Sequence, residues 1–388
     1  MNYEELINFQ KDILKNLNSE NFKEIASLAR NKIKELYGYP LPNGAEIGIF
    51  VNDDCNLKCP HCYVVSTHKK VCQREPMKLK DWSNVIKGAL NLGVVHYSII
   101  GKEPLLNPQV VKQILDELKG KKVFCEIITN GIMIPENAHW LKDYKFDFFS
   151  ISFDGYKEDH DKIRGKGNYA KSKNALIIAK ESGIENLTIS HTIMPHNVKN
   201  LDKMIKDLAN CGAKYFSLGF CFPAEHNKKD FVAGKIGIYQ EVIDKLKNLP
   251  ETIDISLNIS VENNARLIGE LFRNGFFNEK CAVTEDLAPA LIKIISNDHP
   301  RIALQISILP TMFYSGFRLE CDGSILDHCI DAQSLERRKG FGNIKEQPFF
   351  KIWNKSRDQL WPQYTEKYYE YLAKALKGEE LPVLKGWY

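Results

Sequence analysis

The chain predicts an α/β fold built on an open parallel sheet of six β/α units, with a helical segment before it and a smaller α+β extension after it. Three observations lead there. Short apolar runs and amphipathic stretches alternate six times between Glu46 and about Phe222. Such alternation implies parallel strands joined by right-handed crossovers. Six units are too few for a closed eight-stranded barrel, so the sheet must stay open. Late in the chain, Asp322-Gly323 sits between two apolar runs and marks a hairpin outside that repeat.

Residues 1–43 read as a helical cap. Leu6, Ile7, Phe9, Ile13 and Leu14 form one apolar stripe, and Ile25, Leu28, Ile33 and Leu36 form a second. Pro40, Pro42 and Gly44 end the pattern. Residues 44–222 carry the repeat, with strands expected at Ile47–Val51, Val95–Ile100, Val123–Thr129, Phe148–Phe153, Leu187–Ile193 and Tyr215–Phe220. Helices are expected between them at Trp82–Leu92, Pro108–Leu118, Glu136–Leu141, Tyr169–Ser182 and Asn197–Ala209. Residues 223–310 read as a connecting region, with helical patterns at Ile236–Leu246 and Glu262–Phe272 and a strand at Ile302–Ile306. Residues 311–388 hold the hairpin, Phe317–Cys321 and Ile325–Cys329, and a final helix rich in Tyr, Leu and Lys.

Composition excludes several classes. A net charge of +4 over 388 residues is too small to argue for a nucleic-acid partner. No apolar run reaches the roughly 18 residues of a membrane span, and the opening Met1-Asn2-Tyr3-Glu4-Glu5-Leu6 is no signal peptide. A cytoplasmic chain is expected. Its ten cysteines then favour thiols and metal ligation over disulfides. Cys125, inside an apolar run, reads as a buried small hydrophobe.

Cys55, Cys59 and Cys62 follow the first strand with C-x3-C-x2-C spacing. In a parallel sheet, chemistry gathers at this end of the strands. Three thiolates on one tight loop can hold three irons of a cubane [4Fe–4S] cluster and leave the fourth iron open. A zinc knuckle is the competing reading, but it wants a fourth ligand, for which His61 and His68 are at hand.

The cysteine spacing resembles the signature of the radical SAM superfamily. That resemblance implies a (β/α)6 partial barrel whose open iron chelates S-adenosylmethionine (SAM). Reduction then yields a 5′-deoxyadenosyl radical that abstracts hydrogen from a substrate. An electron donor such as flavodoxin or ferredoxin is implied as a partner. The aromatic residue before the third cysteine, His61 here, would lie beside the adenine. Gly101-Lys102-Glu103-Pro104 resembles the family's G-G-E-P segment, with Gly101 in the loop and Glu103 facing the amino group of SAM. Lys102 replaces the second glycine, a departure that puts the loop geometry in question. Thr129-Asn130-Gly131 resembles a T-N-G segment near the cofactor, where Asn130 offers both a donor and an acceptor.

Ser152-Phe153-Asp154-Gly155 and the following His160-Asp161-Lys162-Ile163-Arg164-Gly165 resemble the SPASM/twitch subfamily. Ser152 would contact SAM, Arg164 would clamp its carboxylate, and Asp154 would face the substrate. An Asp161–Arg164 ion pair at i, i+3 is the structural alternative. His191 and Asn197 flank the end of the fifth strand as pocket or packing residues.

The hairpin, Gly342-Asn343-Ile344 and Ile352-Trp353 resemble a SPASM or twitch domain, which holds one or two auxiliary clusters. Only Cys281, Cys321 and Cys329 are near enough to serve one here, with His328 as a fourth ligand. The expectation is therefore a degenerate domain that keeps the fold and has lost its cluster. Some radical SAM epimerases quench a carbon radical with a cysteine, and Cys221, just past the sixth strand, is the candidate for that role.

The resemblance implies an enzyme acting on an unactivated C–H bond, with a small peptide or natural-product precursor as the leading substrate. A sugar or aminocyclitol substrate and a non-catalytic iron–sulfur or zinc protein are the alternatives.

Overall fold

A computed structural model describes residues 3–37, 45–62, 74–221, 236–262, 264–278, 281–283, 291–295, 301–309, 316–327, 340–379 and 381. Two helices open it, α1 (Tyr3–Asn16) and α2 (Phe22–Tyr37). Strands and helices then alternate: β1 (Ala45–Phe50), α3 (Leu79–Asn91), β2 (Val94–Ile100), α4 (Pro108–Leu118), β3 (Phe124–Thr129) and α5 (Ile134–Leu141). Next come β4 (Phe148–Ser152), α6 (Glu158–Arg164), α7 (Asn168–Glu181), β5 (Leu187–Ile193), α8 (Leu201–Asn210) and β6 (Tyr215–Phe220).

The alternation continues past the six expected units. It adds α9 (Ile236–Lys247), β7 (Ser256–Glu262), α10 (Ala265–Arg273), β8 (Cys281–Val283), β9 (Leu291–Ile295) and β10 (Ile302–Ser307). The hairpin strands β11 (Gly316–Leu319) and β12 (Ser324–Asp327), then β13 (Gly340–Asn343) and the long helix α11 (Phe349–Leu376), complete the described strands and α-helices. The described strands form one sheet in the order β13-β12-β11-β1-β2-β3-β4-β5-β6-β7-β10-β9-β8. It is parallel from β11 through β1–β7 to β10, so it is wider than six strands and remains open.

The register separates two unlike faces, because successive side chains in a strand point to opposite sides. Ile47, Ile49, Tyr97, Ile99, Ile127, Phe149, Ile151, Ile189, Phe216, Leu218, Leu257 and Ile259 share one face and are buried with the helices. The other face is polar. Ser98 pairs with Glu126, Ser150 with Thr188, Ser152 with Ser190, and Ser190 with Ser217, which pairs in turn with Asn258. Branched apolar side chains fill the interior of a closed eight-stranded barrel. Hydroxyls and charges stand here instead, so this concave face suits a polar ligand better than a packed core. At its N-terminal end the rings of His96, Phe124, Phe148 and Tyr215 run across the strands with centroids 4.6, 5.4 and 6.0 Å apart, the first two pairs edge to face and the third tilted.

Of the two N-terminal helices, α2 packs against α11 and α1 meets β8. Ala26, Ala29 and Ile33 of α2 are buried, and Arg30 donates to the carbonyl of Pro362 at 3.3 Å. Small residues let the two helices approach closely. Leu28, expected in the apolar stripe, is 47% exposed. Gly269 of α10 performs the same service on another side of α11: a Cβ there would stand 2.6 Å from the backbone of Ala375.

Candidate active site

The cysteine loop leaves the C-terminal end of β1. Asn52 Oδ1 accepts from Asp54 N at 2.8 Å and starts the turn, Leu57 N approaches Cys55 Sγ at 3.4 Å, and Cys62 N donates to Cys59 O at 3.2 Å. Cys55, Cys59 and Cys62 are half-buried and in no disulfide. Burial pushes the Cys55 thiol up. Cys59 is pushed up to about 12 by burial, against the opposing pull of Arg164. Among the described residues, no three His, Cys, Asp or Glu side chains converge as they would on a single metal ion.

The loop after β2 lies against the cysteine loop. Gly101 has φ +127°, and a Cβ there would come within 3.3 Å of the Phe50 Cα. Glycine is required at that position. Lys102 lies outside the positive-φ region, so the second glycine of the motif is not needed for the turn. The Lys102 ammonium reaches Asp53 Oδ1 and Asp53 O, each at 2.7 Å. Glu103 is fully buried. Its Oε1 accepts from Thr129 Oγ1 (2.7 Å) and Leu105 N (3.1 Å), and its Oε2 from Asn130 N (2.8 Å). Burial raises its pKa, against the pull of these donors. A carboxylate oxygen has more than one acceptor site, so Oε2 keeps capacity for a cationic ligand. Asn130 turns its side chain to the cysteine loop, with Nδ2 2.7 Å from Asn56 Oδ1.

Asp154 was expected to face a substrate. It is instead completely buried, with both oxygens engaged. Oδ2 lies 2.5 Å from Arg164 Nε and 3.2 Å from His61 Nε2, and Oδ1 accepts from Thr192 N at 3.1 Å. Burial opposes this charge, yet Arg164 and His61 hold the carboxyl well below its usual range. His61 is thereby tied to Asp154, a contact that its expected place beside adenine did not foresee. Arg164 does form an ion pair, with Asp154 and not with Asp161. Asp161 instead accepts from Gly167 N and Tyr169 N, at 2.6 and 2.8 Å, ahead of and within the first turn of α7.

The charge of Arg164 acts on Cys55, Cys59 and Glu103. His191 contacts Phe153 O through Nδ1 at 2.7 Å, and Asn197 bridges Asp154 O and Thr192 O, so both brace the loop. Ser152 stands on the polar face beside Ser190.

Cys221 is 1% exposed and lies in a small buried cluster with Ile163 and Met194, against which Cys59 packs. Cys125 is buried, as expected. Cys321 is buried and disulfide-bonded, contrary to the expectation of free thiols, and its partner sulfur lies outside the described residues. His68, His328, Cys329 and the side chain of Cys281 also lie outside them. The sequence assigns no individual role to Asp53, Asn56, Thr129, Thr192 or the buried His160. Asp53 and Asn56 flank Cys55, and Thr129 precedes Asn130, so their nearness to motif residues was the available signal.

Residues 49–208 match the family described as "Radical SAM superfamily". A "Probable GTP 3',8-cyclase" of Methanococcus maripaludis is 30% identical over 210 residues, which are 52% of this chain and 68% of that protein. The chain belongs to the radical SAM superfamily. An "Fe-coproporphyrin III synthase" of Methanosarcina barkeri is 25% identical over 312 residues, covering 79% of this chain and 72% of that one. In fold, the chain resembles Streptococcus suis SuiB, solved bound to its precursor peptide SuiA. The TM-score is 0.62 at 15% identity, covering 87% of this chain and 69% of SuiB.

A radical SAM enzyme uses a [4Fe–4S] cluster and SAM, and the residues present fit both. Three cysteines on one loop, none of them in a disulfide, match three cluster corners. Buried Glu103 complements an ammonium, and Arg164 complements a carboxylate or the charge of the thiolates. Among the described residues, no helix is long and apolar enough to cross a membrane.

Proposed function

We propose that this radical SAM enzyme abstracts hydrogen from an unactivated C–H bond of a small peptide or peptide-like precursor. Cys55, Cys59 and Cys62 hold the cluster, which when bound supplies the electron that cleaves the sulfonium of SAM. Glu103 binds the SAM ammonium, Asn130 steadies the cysteine loop through Asn56, and Arg164 supplies positive charge beside the thiolates. Asp154 holds Arg164 and His61 in place. Fixing SAM and substrate in line removes the entropic cost of bringing them together.

The observation that carries the substrate class is the polar concave face. Ser152, Ser190, Ser217 and Asn258 place hydroxyls and an amide side by side on neighbouring strands. Such groups pair with peptide amides. SuiB, which shares the fold, is named as binding a precursor peptide. The same face suits a polyhydroxylated sugar, which is the second reading. Residues 311–388 are read as a SPASM/twitch-like extension without a full ligand set, and a flavodoxin or ferredoxin as the electron donor.

The test is isotope transfer. Reconstituted enzyme is reduced with dithionite in the presence of SAM and perdeuterated peptide pools or perdeuterated sugars. Deuterium in 5′-deoxyadenosine from the peptides alone supports the reading. Transfer from sugars alone replaces it with the second.

A further inference from the structure

We infer that Lys102 is a positioning residue that locks the cluster-binding loop onto the SAM-binding loop through Asp53. This rests on the reading of Cys55, Cys59 and Cys62 as cluster ligands. Three links join residues 52–54 to residues 102–103. Asn52 Nδ2 donates to Glu103 O at 2.6 Å, and Glu103 N donates to Asp54 O at 3.1 Å. Lys102 Nζ reaches both Asp53 Oδ1 and Asp53 O, each at 2.7 Å.

The first two links use backbone groups of Glu103, and any residue at 102 would allow them. The third exists because a long cation stands where the related motif has glycine. The pair is well shielded, with side-chain exposures of 7% for Lys102 and 11% for Asp53. Removing one partner of a pair screened from water in this way costs more than removing one partner of a surface pair. Asp53 is two residues before Cys55, so fixing its side chain and its carbonyl together fixes the direction in which the chain enters the ligand loop.

The Lys102 charge is matched at 2.7 Å by the Asp53 carboxylate, so Lys102 works through geometry. Removing either partner should then perturb the cluster in the same sense. A through-space charge effect would instead give Lys102 and Asp53 variants opposite effects.

The experiment uses the full chain, reconstituted anaerobically, as wild type, Lys102→Met, Asp53→Asn, the double variant and Lys102→Arg. Gly269→Ala, in a helix away from the loop, serves as a destabilised control. Two quantities are read without turnover: the rate of iron transfer to a chelator, and the EPR line shape of the reduced cluster before SAM is added. The lock predicts that Lys102→Met and Asp53→Asn each lose iron at least about threefold faster. The double variant should lose it no faster than the quicker single variant, since coupled residues are not additive. Lys102→Arg should keep the wild-type rate, and the line shape should change in both single variants. Wild-type rates in Lys102→Met, opposite effects of the two single variants, or acceleration no greater than in the equally destabilised control would each overturn the lock. Wild-type protein that retains no iron would instead overturn the cluster reading beneath it.

Discussion

Replacing Asp154 by Asn tests whether the site is organised around a buried ion pair. The carboxylate is completely buried, 2.5 Å from Arg164 Nε and 3.2 Å from His61 Nε2. The substitution keeps the shape and one acceptor oxygen but leaves the Arg164 guanidinium without its counter-charge. Breaking a buried pair by removing one partner costs about 3–5 kcal/mol. Weakening the hydrogen bond to Thr192 N adds about 1 kcal/mol, so the expected loss is near the upper half of that range. Urea unfolding of the metal-free protein reads it directly. The double variant Asp154→Asn with Arg164→Gln should recover part of the loss, because neither charge is then stranded.

The pH dependence has a definite sign. The folded carboxyl of Asp154 is depressed, so its contribution is fully present above the unfolded value of about 3.9. It is lost as pH falls through the lower folded value. The wild-type and Asp154→Asn stabilities should therefore differ by a constant amount near neutrality and converge in acid. A neutral-pH loss under about 1 kcal/mol, the scale of an exposed pair, or a loss that persists unchanged in acid, would refute the reasoning.

Glu103→Gln should weaken SAM binding by at least about tenfold, as expected when a charged partner of an ammonium is removed, while iron content stays at the wild-type level. Equilibrium dialysis and iron assay check the two halves. Gly269→Ala should destabilise by about 1–3 kcal/mol through overpacking, since its Cβ would stand 2.6 Å from the Ala375 backbone. Thermal unfolding measures it. Leu28→Lys should change stability by less than about 0.5 kcal/mol, because Leu28 is 47% exposed.

The central strands were legible because their apolar residues alternate with turn residues at regular intervals. β5, β6 and α4 match the expected boundaries. β7 was not read as a strand because its polar-face residues, Ser256 and Asn258, dilute the apolar signal of Leu257 and Ile259. Leu28 was misplaced because periodicity favours large residues, whereas α2 meets α11 through Ala26 and Ala29. In the site, the cysteine loop, Glu103 and Asn130 could be read from contiguous motifs. The partners of Arg164 and Lys102 could not. Asp154 lies ten residues before Arg164 and Asp53 forty-nine before Lys102, and only the fold brings each pair together.

The most direct test of the central claim is iron and sulfide content, with EPR, on anaerobically reconstituted protein. Wild type is compared with a variant in which Cys55, Cys59 and Cys62 are all Ala. The account predicts about four irons in the wild type, one cubane, and none in the variant. About four irons persisting in the variant would contradict it, placing the bound cluster on cysteines other than those of the loop after β1.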